Sequence, residues 1–450
     1  MNRFLKVSLV ATLCAALLLA AGCGGGSTQS GEQNNTSSQT QTETQTPSSG
    51  ESTTSTSSEK QVEIFSWWTG AGEAAGLEGL IQLFKEKHPD IEVINAAVAG
   101  GAGTNAKAVL ASRMSGGNPP DTFQVHAAHE LLDTWVAADK MEPLNFLYEQ
   151  EGWYDVFPKG LVEMMSKDGN VYSVAVNIHR GNVVFYNKKI FDENNITPPT
   201  TFDEFFTVAE TLKAKGITPL ALGDKEPWTA LQLFESVLLG TMGPDKYNGL
   251  FDGSVAWDDP GVREALDIFH RMLQYINEDH SARNWQDASQ LVAEGKAAMN
   301  LMGDWAKGYF TTDLGLKPNE DFGWFTSWNT EGTFMFISDT FGLPKDIKHR
   351  DATIEFLKVL GSKEGQDVFN PLKGSIPART DADVSKYDVY SQQAMQDWST
   401  NKLTPSIAHG SAASPGWTEK IQQVVTVFAT TGDVDQALSD LVTAAQEELK

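Results

Sequence analysis

The chain has 450 residues, 40% of them hydrophobic, a formal net charge of -25 and two cysteines. That length and apolar content suffice for two or three packed domains, and the acidic balance excludes nucleic acid as a partner. Cys14 and Cys23 both precede Gly24, so thiolate zinc sites, cysteine nucleophiles and internal disulfides are excluded from everything that follows.

The first residues carry an address. Arg3 and Lys6 give a positive start, an apolar run from Val7 to Leu19 is too short to span a bilayer, and Ala20-Ala21-Gly22-Cys23 places small residues before a cysteine. The pattern resembles a bacterial lipoprotein signal over residues 1–22, with Ala20 where such signals usually carry leucine; the resemblance implies that Cys23 bears the lipid. Residues 24–60 are Ser, Thr, Gln, Gly and Asn with almost no apolar side chain, so they cannot offset their ordering entropy. A disordered, lipid-anchored tether over residues 23–60 is predicted, with a root-mean-square span on the order of 35 Å. No later stretch has the apolar length of a membrane helix. The body is therefore expected outside the cytoplasm, touching the membrane only through Cys23.

Val62-Glu63-Ile64-Phe65-Ser66 alternates as a strand, and Leu77, Leu80, Ile81, Leu83 and Phe84 then recur at helical spacing until His88-Pro89. A strand is predicted over residues 91–98, a helix through Val109 to Met114, a turn at Gly116-Gly117-Asn118-Pro119-Pro120 and a third strand over residues 121–125. Strands alternating with helices imply a parallel sheet, whose carboxyl ends would present Trp67, Trp68, Gln124 and His126. Further along, Thr201-Phe202-Asp203-Glu204 is a capping box, and Asp259-Pro260 and Ser414-Pro415 each place proline after an N-cap. Asp433 with Gln436 starts a last helix carrying Leu438, Leu441 and Val442. No internal repeat is visible.

Enzyme signatures fail. There is no Gly-x-Ser-x-Gly elbow, Gly100-Gly101-Ala102-Gly103 lacks phosphate-loop spacing and reads as a flexible loop, and His126-Ala127-Ala128-His129-Glu130 matches neither zinc-protease order. No metal or cofactor is expected. Twelve tryptophans are many, and an indole covers the apolar face of a pyranose while carboxylates and amides take its hydroxyls. The adjacent Trp67-Trp68, directly after a predicted strand, should send at least one ring to a cleft.

Five stretches carry a resemblance: Trp67-Trp68-Thr69-Gly70, Pro119-Pro120-Asp121-Thr122-Phe123-Gln124, Val176-Asn177-Ile178-His179-Arg180, Ala298-Met299-Asn300-Leu301-Met302-Gly303-Asp304-Trp305 and the run from Phe369 to Arg379 that contains Lys373. In this order, from Gln61 to the C-terminus, the chain resembles the glucose-binding proteins of bacterial ABC importers. The resemblance implies an α/β, two-lobed periplasmic-binding-protein fold with hinge crossings near residues 172–176, 326–333 and 376–379 and a ligand cleft between the lobes. It implies a first lobe of residues 61–174 and 333–377, and a second of 175–332 and 378–450.

By the same resemblance, Trp67, Trp68 and Glu73 form one wall of a sugar site and Gln124 and His126 the next. Asp339, Lys373 and His409 supply polar partners, and Trp285 and Trp305 a second aromatic surface. Bland readings stand beside these: Glu73 as an exposed acid at a helix start, Lys373 with Asp339 as a structural salt bridge, His409 as a helix end, His179 as structural, and Asp304 as a cap or a sugar contact. The implied function is non-enzymatic: a monomeric receptor closes over a monosaccharide (glucose, with galactose or mannose as alternatives) and presents it to an ABC permease. The rivals are a surface glycoside hydrolase using Glu73 and Asp339, and a ligand-sensing partner of a membrane receptor.

Overall fold

The computed structural model describes residues 60–449. The expected signal, Cys23 and all of the expected tether but Lys60 lie outside the described residues. Strand Gln61–Phe65 leads into helix Ala71–Lys87, where Leu77, Leu80, Ile81 and Phe84 form a buried stripe. Each such side chain contributes about 1.5–3 kcal/mol of transfer free energy. The opposite edge of this helix carries Gly72, Gly76 and Gly79, and a Cβ at any of them would press on Leu372, Phe369 or Val368. Glycine there lets helix Lys363–Lys373 lie unusually close, which brings Lys373 to Glu73.

Strands Gln61–Phe65, Glu92–Asn95 and Thr122–His126 pair in parallel, as the alternation of strand and helix predicts. Asp339–Gly342 adds antiparallel beside Thr122–His126, and Ser173–Ala175 adds antiparallel beside that, giving a mixed five-stranded sheet. A second sheet of four strands is ordered Phe322–Thr326, Val183–Asn187, Ala297–Leu301, Thr218–Ala221. A third joins Lys402–Pro405, Thr333–Ile337 and His179–Arg180. Two large hydrophobic cores result, one around the five-stranded sheet and the other around helix Trp228–Asp252. This is the two-lobed α/β architecture of periplasmic binding proteins.

The helix starts follow their signals. Thr201 makes both bonds of a capping box with Glu204, while Asp259, Ser414 and Asp433 cap Gly261, Trp417 and Gln436. The segment that follows the expected crossing at residues 326–333 pairs in two sheets in turn. Thr333–Ile337 pairs with Lys402–Pro405 and His179–Arg180, and only after Ser338 does the chain join the five-stranded sheet. Strand alternation sends Phe334 and Phe336 to the first core and Met335 to the second.

The three passages between sheets lie side by side. Ile178 and Ile376 exchange backbone hydrogen bonds of 2.8 and 3.0 Å, Val176 donates to the Asp339 carbonyl at 3.0 Å, and Ser338 donates its hydroxyl to the Asn177 carbonyl at 2.8 Å.

Candidate functional site

Beside these passages a cavity is lined by Trp67, Trp68, Glu73, Ala102, His126 and Lys373 on one side and by Trp228, Trp285, Trp305 and His409 on the other. His179, Ile337 and Asp339 close it at the passages. Nine of the ten residues named from sequence therefore meet around one space. The opposing walls meet: the His126 and His409 rings lie 5.5 Å apart, and Lys373 Nζ lies 5.9 Å from the Trp305 ring centroid.

Local chain geometry explains the placement. The first strand ends at Phe65, and the irregular turn that follows lets both Trp67 and Trp68 reach the cavity rather than alternate. The loop at 100–103, expected to be merely flexible, is a built part of the wall. Gly103 has φ +78 and packs so closely that a Cβ would meet the Trp67 ring at 2.9 Å, and Ala102 borders the cavity. Trp305 opens a short helix whose Gly308 abuts Lys373: a Cβ on Gly308 would sit 2.2 Å from the Lys373 carbonyl oxygen.

The polar groups form a connected set. Lys373 Nζ donates to Glu73 Oε1 at 2.7 Å. The expected alternative pairing of Lys373 with Asp339 is not what forms, because Asp339 is already occupied. Its Oδ1 accepts from Gln124 Nε2 at 2.7 Å, its Oδ2 accepts from Asn177 Nδ2 at 2.8 Å, and His179 Nε2 lies 3.5 Å away. Burial opposes ionisation of Asp339, but the His179 hydrogen bond and the Lys373 charge outweigh it and hold the carboxyl well below the ordinary range. His126 Nδ1 bonds Glu130 at 2.7 Å, as does Lys107 Nζ at 2.8 Å. Burial disfavours the Glu130 anion too, yet the Lys107 charge and the His126 hydrogen bond bring its pKa down to about 2.

Gln124 is the exception among the expected ligand residues. Its amide is spent holding Asp339 and the Trp67 backbone N–H, and it borders a neighbouring larger cavity that shares Trp67, Ala102 and Trp228. It positions the wall and does not line this cavity. His409 ends no helix; it lies in the turns between strand Lys402–Pro405 and helix Pro415–Thr431. Asp304 neither caps through its side chain nor faces the cavity: it is fully buried, pairs with His179 Nδ1, and accepts from the Arg180 N–H and the Tyr390 hydroxyl. His179, read from sequence as structural, lines the cavity while held by Asp304. Trp228 was not anticipated; Glu226-Pro227-Trp228, a proline just before an indole at a helix start, is the only signal it left.

A two-lobed body with indoles and paired charges gathered around a cavity is the design of a solute receptor. The chain belongs to the bacterial extracellular solute-binding protein family, whose profile matches residues 66–367, and like the proteins of that family it is a receptor and not an enzyme. It is 38% identical to an ABC transporter extracellular-binding protein of Pyrococcus horikoshii over 100% of this chain and 97% of that protein. It is 35% identical to a probable sugar-binding periplasmic protein of Brucella suis over 86% of this chain and 93% of that one. Among solved structures, the bacterial solute receptor AcbH, described as having an exclusive preference for β-D-galactopyranose, aligns with a TM-score of 0.77 at 20% identity, covering 87% of this chain and 100% of its own.

Proposed function

We propose that the cavity binds one monosaccharide, glucose in first place with galactose and mannose as alternatives, and that the closed receptor hands it to the permease of an ABC importer. The carrying observation is that five indoles and the Glu73, Lys373 and Asp339 charges converge on one cavity, an apolar lining with a few placed polar groups of the kind that recognises a small polar ring. Indole faces cover the C–H face of the sugar, and the charged groups bind its hydroxyls at roughly 1.5–3 kcal/mol per hydrogen bond. The Brucella relative, itself named as sugar-binding, supports the same class of ligand.

Residues 61–174 with 333–377 form one lobe in this reading and the remainder of the body the other. A ligand favours closure only by touching both sides more strongly when closed, as Trp68 and Lys373 facing Trp305 and His409 would allow. A monomer tethered by lipid on Cys23 completes the proposal. Neither carboxyl named for the hydrolase rival suits the general-acid role it needs, since Asp339 is held ionised and Glu73 accepts from the Lys373 ammonium. Calorimetry of the purified protein with glucose, galactose, mannose and a disaccharide panel is the test. Saturable heat with a hexose supports the reading, and heat only with longer saccharides refutes the monosaccharide assignment.

A further inference from the structure

Glu235 is a fully buried acid in the middle of helix Trp228–Asp252, without a cationic partner among the described residues. Its carboxylate instead gathers the turn that carries His409. It accepts from Ser406 Oγ at 2.8 and 3.1 Å, from the Ile407 N–H at 2.5 Å and from the Ala408 N–H at 3.0 Å. Ser406 Oγ lies 3.0 Å from His409 Nδ1 and accepts from the His409 backbone N–H at 3.3 Å. His409 Nε2 has no partner among the described residues, and the ring borders the cavity.

Proton counting fixes the rest. A serine hydroxyl carries one hydrogen. When Glu235 is ionised, Ser406 gives that hydrogen to the carboxylate, so its contact with His409 requires Nδ1 to carry a proton and donate. Nε2 is then left with a lone pair on the cavity side.

We propose that Glu235, acting through Ser406, is a positioning residue that sets the tautomer of His409 and makes Nε2 a hydrogen-bond acceptor for a ligand hydroxyl. This rests on the cavity being a sugar site. Burial pushes Glu235 up to about 7. Below that, the carboxyl O–H donates to Ser406, Ser406 donates to Nδ1, and Nε2–H becomes a donor. The titratable group facing Glu235 is Tyr247; those around His409 are His126, Lys107, Asp339 and His179. Burial and the neighbouring cations keep His409 itself neutral.

The test is nitrogen-15 NMR of histidine-labelled full-length protein, with the His409 signals assigned by their loss in H409Q. At about pH 9, where carboxyl and imidazole are both deprotonated, wild type should show a protonated Nδ1. In E235Q the amide oxygen keeps Ile407 and Ala408 while its N–H faces Ser406, so His409 should switch to Nε2–H and hexose affinity should fall about tenfold. S406A, which only trims the hydroxyl, should lose the Nδ1–H preference and serves if E235Q does not fold. An Nε2–H tautomer in wild type at that pH, or an unchanged tautomer in both variants, overturns the proposal. A tautomer switch with unaltered hexose binding upholds the relay and removes His409 from the ligand contacts.

Discussion

Lys373 Nζ sits 2.7 Å from Glu73 Oε1, across 300 residues of sequence, and 5.6 and 5.9 Å from the ring centroids of Trp68 and Trp305. One buried ammonium thus ties together the first helix and indoles from both sides of the cavity. Removing one member of a buried pair costs about 3–5 kcal/mol because the other charge is left without compensation. Lys373→Met is therefore expected to lower the thermal unfolding midpoint markedly and to abolish hexose binding, read by scanning calorimetry and titration on the same sample.

Trp305 separates the ligand surface from the scaffold. Its ring lies 5.2 Å from His179, 5.1 Å from His409 and 6.1 Å from Trp228. Truncating an aromatic anchor at the centre of a site costs 2 kcal/mol or more, so Trp305→Ala should weaken hexose binding by at least about 30-fold. Far-ultraviolet circular dichroism should be unchanged, and undiminished affinity would remove Trp305 from the site.

Stability should respond to pH with opposite signs at two glutamates. The Glu130 pKa is lowered to about 2 against 4.5 unfolded, so its stabilisation is present above about pH 4.5 and is lost as pH falls toward 2. The Glu235 pKa is raised to about 7, so the folded state retains a proton that the unfolded chain releases, and stability declines as pH rises from about 4.5 to 7. Each effect is on the order of 3 kcal/mol. Denaturant midpoints across that range should flatten on the neutral limb in Glu235→Gln and on the acid limb in Glu130→Gln.

Glu226 joins the loop at 100–103 to Trp228, and Ala102 and Trp228 both border the cavity. Its carboxylate accepts from the Gly101 N–H at 3.0 and 3.2 Å and from Trp228 Nε1 at 3.1 Å. Glu226→Ala removes these charge-assisted bonds, each worth roughly 1.5–3 kcal/mol, and should speed hexose dissociation about tenfold or more in stopped-flow tryptophan fluorescence. An unchanged off-rate would show that the bonds do not hold the closed form.

The first parallel strands, their helices and the capped helix starts were legible because each rests on local chemistry: alternation, 3.6-residue spacing, a side chain reaching its own helix's N–H groups. The cavity residues were legible through block resemblance, with the Trp67-Trp68 pair also visible as residues. What stayed hidden depends on partners distant in sequence. Nothing near Gln124 says that its amide is consumed by Asp339, 215 positions away. Nothing near Lys373 selects Glu73 over Asp339. His179 looked structural because one ring nitrogen is, being held by Asp304, while its ring still borders the cavity.

Small-angle scattering of the purified body with and without glucose, galactose or mannose, paired with calorimetry on the same samples, bears most directly on the central claim. A hexose that gives saturable heat and shifts the curve toward a more compact particle is the predicted result. Superimposable curves and no heat with any hexose would contradict it.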